Sequence, residues 1–225
     1  MSLSSLVTQR REKLESKKAK LAERYWNNEA VETLVSDLAE VMDKLILDAW
    51  HEQITQSKDI ALFAVGGYGR RELHPGSDID LLVVAKDPKS HGRAIELFLQ
   101  NVFDLNIEVG HSVRDITTCI KECEADITVA TAMFERRLLG GDAALDTSVD
   151  EALSKKKVWP AEKFFAAKYQ EQIERHKQFD DVDYNLEPNV KASPGGMRDI
   201  HTALWICNRN FGTTDISRLV EMNVL

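Results

Sequence analysis

Ala64-Val65-Gly66-Gly67-Tyr68-Gly69-Arg70-Arg71-Glu72-Leu73-His74-Pro75-Gly76-Ser77-Asp78-Ile79-Asp80-Leu81-Leu82-Val83-Val84 is the stretch from which the rest of this 225-residue chain can be read. An apolar run ends at paired glycines, ten residues follow, and two aspartates then stand two apart in a second apolar run. Side chains alternate across a strand, so Asp78 and Asp80 are expected on one face, with Ile79, Leu81 and Val83 on the other. Two neighbouring carboxylates in an apolar strand repel each other unless a cation neutralises them. Magnesium ions arriving with a nucleoside triphosphate would do so.

Two rival readings are weaker. Gly67-x-Gly69-x-x-Glu72 lacks the third glycine of a dinucleotide fingerprint, and the next strand arrives too soon for a crossover helix. A plain turn with solvated aspartates on an edge strand would not require glycines, spacer and apolar flanks together.

Outward from this stretch, the pattern predicts strands at Ile60–Val65 and Ile79–Val84 with a short helical turn over Tyr68–Leu73. Upstream, Leu6–Asn28 carries seven Lys or Arg against three Glu, the mark of a solvated helix face. From Glu29, Leu34, Val35, Leu38, Met42, Leu45, Ile46 and Trp50 recur at three and four, which predicts a long amphipathic helix packing on the sheet. Downstream, Asp87-Pro88-Lys89-Ser90 breaks the chain before a helix over Gly92–Phe103. Alternation of Leu105, Ile107 and Val109 predicts a third strand. After Ser112 helices are expected at Asp115–Glu124, Ile127–Leu138, Ala143–Lys155, Ala161–Phe179 and Met197–Asn210, with another starting at Thr214-Asp215.

The expected fold is therefore α/β, a core with a mixed sheet plus N-terminal and C-terminal helical segments. Expected divisions are 1–57 for N-terminal helices packing on the core, 58–140 for the core, and 141–225 for a helical domain cut off while still amphipathic, as in a fragment of a longer protein.

A formal net charge of −8 offers no broad positive field, which argues against a nucleic-acid partner. No apolar run approaches membrane-spanning length, and the start lacks the apolar core of a secretory signal, so no membrane association and a cytoplasmic location are expected. Cys119, Cys123 and Cys207 are odd in number and read as reduced packing positions.

The glycine pair, spacer and Asp-x-Asp strand resemble the nucleotidyltransferase superfamily related to DNA polymerase beta. Three blocks together narrow this to the bifunctional uridylyltransferase and uridylyl-removing enzymes that modify the PII nitrogen-signalling protein. They are Gly66 to Leu73 with Ser77-Asp78-Ile79-Asp80, then Glu108-Val109-Gly110-His111-Ser112-Val113-Arg114, then Glu187-Pro188-Asn189-Val190-Lys191 with Pro194-Gly195-Gly196-Met197-Arg198-Asp199. The first block is shared with glutamine-synthetase adenylyltransferases.

The resemblance implies transfer of UMP from UTP to a PII tyrosine with release of pyrophosphate, assisted by two magnesium ions, one arriving with UTP. It implies nucleotide contacts from Gly66, Gly67 and Ser77, with Arg70 and Arg71 the nearest cations for the leaving group. Asp78 and Asp80 are the expected metal ligands. For the third carboxylate, alternation alone leaves Asp104 and Glu108 open; the Asp-Leu-x-Leu segment of relatives favours Asp104 as ligand and general base. His111, Ser112 and Arg114 are candidates for nucleotide or metal-bound water, against a strand-to-helix corner held by local bonds. Lys191 and Arg198 are expected in salt bridges with Glu187 or Asp199 sooner than on the triphosphate. The family's hydrolase part is marked by a His-Asp dipeptide, and none of the six histidines here precedes an aspartate. Competing readings are a nucleotide-binding regulatory module without turnover, and a nucleotidyltransferase acting on a small molecule or an RNA end.

Overall fold

A computed structural model describes residues 3–56, 58–154, 158–179 and 189–224. The chain forms two compact units, the described residues of Met1–Glu122 with Ala132–Ala152, and those of Cys123–Thr131 with Leu153–Leu225.

The first unit is built on four strands, β1 (Ile60–Val65), β2 (Ile79–Ala85), β3 (Val109–Arg114) and β4 (Arg137–Gly141), in the order β3-β2-β1-β4. β1 runs antiparallel to β2 and β4, and β2 runs parallel to β3. The sheet is mixed, as expected. Helices α1 (Leu3–Trp26), α2 (Val31–Gln53) and α4 (Gly92–Phe103) belong to the same unit, with the four-residue α3 (Gly66–Gly69) between β1 and β2.

Ile60, Leu62 and Ala64 of β1 and Ile79, Leu81 and Val83 of β2 share one core with Leu38, Met42, Ile46 and Trp50 of α2 and Phe98 and Val102 of α4. Ala61, Phe63, Leu82 and Val84, pointing the other way, are also buried. Burial on both faces explains why β1 and β2 read as continuous apolar runs rather than alternating ones.

Two strands depart from the sequence reading. Leu105 and Ile107 do not alternate along a strand: the Leu105 amide donates to the Val102 carbonyl and that of Asn106 to Phe103, continuing the end of α4, and Asn106 then turns the chain at φ +58°. The third strand starts four residues later than expected, at Val109. β4 was not expected at all. Helix α6 (Ile127–Phe134) stops short of Leu138, and the boundary expected at residue 140 falls inside β4, which pairs with β1. Helix α7 (Ala143–Ala152) then packs on the same unit; Lys155, expected in it, lies outside the described residues.

In the second unit, α8 (Ala161–Lys177) packs on α9 (Met197–Phe211), followed by α10 (Ile216–Glu221), whose Asp215 cap accepts the Ser217 and Arg218 amides. Helix α5 (Ile116–Ala125) ends at the junction between the units in sequence. Among the described residues no helix is long and apolar enough to cross a membrane.

Candidate active site

The glycine turn is held by a strand distant in sequence. Arg137, the first residue of β4, makes a two-pronged ion pair with Asp43 of α2 at 2.8 and 3.0 Å. The same guanidinium donates to the carbonyls of Tyr68 (3.2 Å) and Gly69 (3.3 Å) and lies over the Tyr68 ring. Burial, together with the Asp43 carboxylate, pushes the Tyr68 hydroxyl far above its ordinary range, so it stays neutral. Gly69 passes so close to Glu135 that a Cβ would fall 2.2 Å from its carbonyl oxygen. Segment 135–137 is thus a clamp on α3.

That clamp fixes Gly66, at φ +60°, beside Asp80: a Cβ on Gly66 would lie 3.5 Å from Asp80 Oδ2. From the other side, Gly110 pairs across the ladder with Asp80, and a Cβ there would fall 2.2 Å from Asp80 Oδ1. Asp80 is bracketed by two glycines. Asp78 is exposed and precedes β2 by one residue instead of lying within it.

The β2–β3 register sorts the other candidates. Residues paired across a ladder point to the same face, so Gly110, Ser112 and Arg114 share the Asp80 face and His111 does not. His111 packs edge-on against Phe103 of α4, ring centroids 5.4 Å apart. Arg114 pairs with Val84, four residues beyond Asp80 and so about 13 Å along the strand. Ser112 is opposite Leu82. Glu108, by contrast, is at the Asp78 end, its carbonyl accepting the Ile79 amide at 2.9 Å.

Asp104 is placed differently from the expectation. It caps α4 in helical conformation, its carbonyl taken by Arg11 of α1 at 2.6 Å, and α4 packs on the sheet face opposite Asp80. Arg70 is shared between Glu72 (2.7 Å) and Glu135 (2.8 Å), whose charges outweigh the effect of burial and hold its pKa above the ordinary value. Arg71 is exposed at φ +63°, and Ser77 closes a turn by donating its amide to His74.

The carboxylates of Asp78 and Asp80 offer oxygen donors, the kind suited to a hard divalent cation. Among the described residues no three acidic, histidine or cysteine side chains converge tightly enough to hold an ion by themselves. Magnesium sites commonly use one or two carboxylates and leave the remaining positions to water and substrate phosphates, which Asp78 and Asp80 fit. Gly110, Asp43, Glu135 and Arg137 were missed by sequence reasoning; a glycine inside a strand, marking close approach of another group, was the one available signal.

Residues 46–139 match the nucleotidyltransferase domain model, and residues 163–225 match the model described as GlnD PII-uridylyltransferase. The chain is 44% identical over 198 residues to the bifunctional uridylyltransferase/uridylyl-removing enzyme of Photobacterium profundum, covering 87% of this chain and 23% of that protein. It is 44% identical over 202 residues to the enzyme of the same name from Pseudomonas syringae (88% and 22%), and 43% identical over 205 residues to that of Azotobacter vinelandii (90% and 23%). The chain is similar to part of the bifunctional uridylyltransferase/uridylyl-removing enzymes. It spans under a quarter of the length of the curated relatives it matches.

In the segment matched by the second model, Asp199 is held by α8 and by the Gly195 turn. It accepts from Arg175, from His176 (3.0 Å), from Gln172 (2.9 Å) and from the Gly195 amide (2.8 Å). Arg198 and Lys168 both lie against the Trp205 ring. Glu187 and Pro188, the start of the third sequence block, lie outside the described residues.

Proposed function

We propose that this chain carries the nucleotidyl-transfer site of a PII uridylyltransferase, moving UMP from UTP to a tyrosine hydroxyl of the PII protein. The observation that carries this is the bracketing of Asp80 by Gly66 and Gly110 at the end of the sheet where the Glu108 carbonyl accepts the Ile79 amide. In the transfer, the tyrosine oxygen bonds to the α-phosphorus, the bond from that phosphorus to the β-phosphate bridging oxygen breaks, and pyrophosphate leaves.

Asp78 and Asp80 would hold magnesium, which when bound with UTP draws negative charge from the phosphates and favours attack. We assign Glu108 as the third carboxylate and acceptor of the tyrosine proton; the bond of its carbonyl to the Ile79 amide at the start of β2 supports it over Asp104, which ends α4. Gly66 and Gly67 let the backbone approach the triphosphate, and Ser77 lies next to Asp78 at its rim. Arg70 steadies the turn through Glu72 and Glu135.

Incubation of the chain with PII protein, magnesium and each labelled nucleoside triphosphate in turn, followed by mass analysis, tests this. The expected result is one UMP added to a tyrosine-bearing PII peptide, lost in Asp78→Asn and in Asp80→Asn with the melting temperature kept. Nucleotide binding without transfer, or transfer to an RNA end instead, would overturn it.

A further inference from the structure

β3 is an open edge of the sheet, next to the strand that carries Asp80. Among the described residues no strand pairs with its outer side, and none of its own residues is buried, whereas six of the seven residues of β2 are. The Ile79 amide bonds to the Glu108 carbonyl, and that phase, carried along a parallel ladder, turns the peptide groups of Gly110, Ser112 and Arg114 toward β2. Those of Val109, His111 and Val113 therefore point outward, a row of donors and acceptors at strand spacing.

Sheet edges are commonly guarded by lysine, proline or a bulge. β4, at the other edge, is irregular: its pairing with β1 shifts register between Leu62 and Phe63. β3 has none of these guards. It pairs with β2 in unbroken register over six residues and contains neither lysine nor proline. Such an edge accepts a further extended segment, as in recognition by strand addition. The ladder then says which segment. A residue of an added strand opposite Gly110 points its side chain to the Asp80 face, its Cα two strand spacings, about 10 Å, from that of Asp80. Gly110 has no side chain to stand between them, and Asp80 Oδ1 leans over it, where a Cβ would fall 2.2 Å away. A serine or threonine hydroxyl, held close to its own backbone, stops short of that carboxylate, whereas the phenol of a tyrosine reaches across the glycine.

We propose that the acceptor protein docks by adding its tyrosine-bearing segment as an extended strand on the outer edge of β3, with the tyrosine opposite Gly110. The choice of occupant rests on the uridylyl-transfer reading above, and the test separates the failure of one from the failure of the other.

Amide exchange of the chain is followed with PII protein, magnesium and a non-hydrolysable UTP analogue, so that no turnover is needed. Slowed exchange at the Val109, His111 and Val113 amides, with β4 unchanged, is expected. His111→Pro and Val113→Pro each remove one outward donor and leave the ladder to β2 intact, a substitution that edge strands tolerate. In steady-state transfer each should raise the KM for PII protein about tenfold or more with the KM for UTP nearly unchanged. Where a variant lowers the melting temperature, peptides spanning the acceptor tyrosine decide instead. N-methylation of alternate amides along one edge of the peptide should abolish its competition with PII protein, and methylation along the other edge should leave it. Exchange at β3 unaltered by PII protein overturns the proposal, as does equal loss from both methylation patterns. So does the same protection arising in the chain alone as its concentration rises, which would make β3 an interface between two copies. Slowed exchange at β3 without any transfer leaves the docking standing and removes the functional reading.

Discussion

Gly110 stands directly across the β2–β3 ladder from Asp80, so close that a methyl group on Gly110 would lie 2.2 Å from Asp80 Oδ1. The atom in the way is the tip of a side chain, not backbone, so Gly110→Ala can be accommodated by turning the Asp80 carboxylate at a cost of about 1 kcal/mol. Stability should therefore change little. If Asp80 holds the metal as proposed, magnesium-dependent transfer should fall by about a hundredfold or more, because a ligand moved by an ångström no longer holds the reacting groups in line. Wild-type turnover in Gly110→Ala, measured beside its melting temperature, would show that Asp80 has no fixed role.

A second relationship controls the glycine turn from a distance. Arg137 reaches Asp43 with two prongs and the Tyr68 and Gly69 carbonyls with the same guanidinium. Lysine keeps the charge but cannot form the fork. Arg137→Lys should cost about 2 kcal/mol, the usual scale for charged hydrogen bonds lost from a part-buried site. Denaturant unfolding measures this, and UTP affinity should weaken alongside as α3 loosens. Arg137→Ala, which leaves Asp43 without its partner, should cost more, about 3–5 kcal/mol.

Which parts of this molecule were legible depends on how far apart the deciding residues lie. Helix α4 was readable to the residue, because its apolar spacing and the Asp-Pro break before it are local. So was β1, while β2 runs one residue further than expected and leaves Asp78 just outside it. β3 was misplaced because Leu105 is buried at the end of α4, and a buried helix end followed by Ile107 mimics alternation. β4 was missed because its first residue is a charged arginine whose partner is 94 positions away. The third carboxylate depends on strand register, which no spacing within one segment reveals. The pairing of Arg70 with Glu135, 65 residues distant, was hidden for the same reason.

The Asp199 cluster makes the α8–α9 pair sensitive to acid. Burial alone would raise the Asp199 carboxyl, but His176, the Gly195 amide and Gln172 more than offset it, and its pKa lies below the ordinary carboxylate value. A depressed folded-state pKa adds stability that is present above the unfolded value of about 4 and is lost as pH falls through the folded one. Amide-exchange protection in α8 and α9 should accordingly decline below about pH 4 in the wild type. In Asp199→Asn it should be lower at neutral pH and flatter across the acid range. Parallel acid profiles for the two proteins would remove Asp199 from this role.

Glu108 and Asp104 offer the sharpest test of the catalytic arrangement, since one ladder contact separates them. The Ile79 amide bonds to the Glu108 carbonyl, setting Glu108 level with Asp78 at the start of two parallel strands. Asp104 ends a helix on the opposite face, and its backbone carbonyl anchors Arg11. Glu108→Gln removes a charge and a proton acceptor while keeping shape, so single-turnover transfer at saturating UTP and acceptor should drop by about 10²- to 10⁴-fold, the usual contribution of a general base. Asp104→Asn leaves the carbonyl contact in place and should stay within a few-fold of wild type. A large loss in Asp104→Asn with Glu108→Gln near wild type would return the third carboxylate to the end of α4 and require the β2–β3 end of the sheet to rearrange when nucleotide binds.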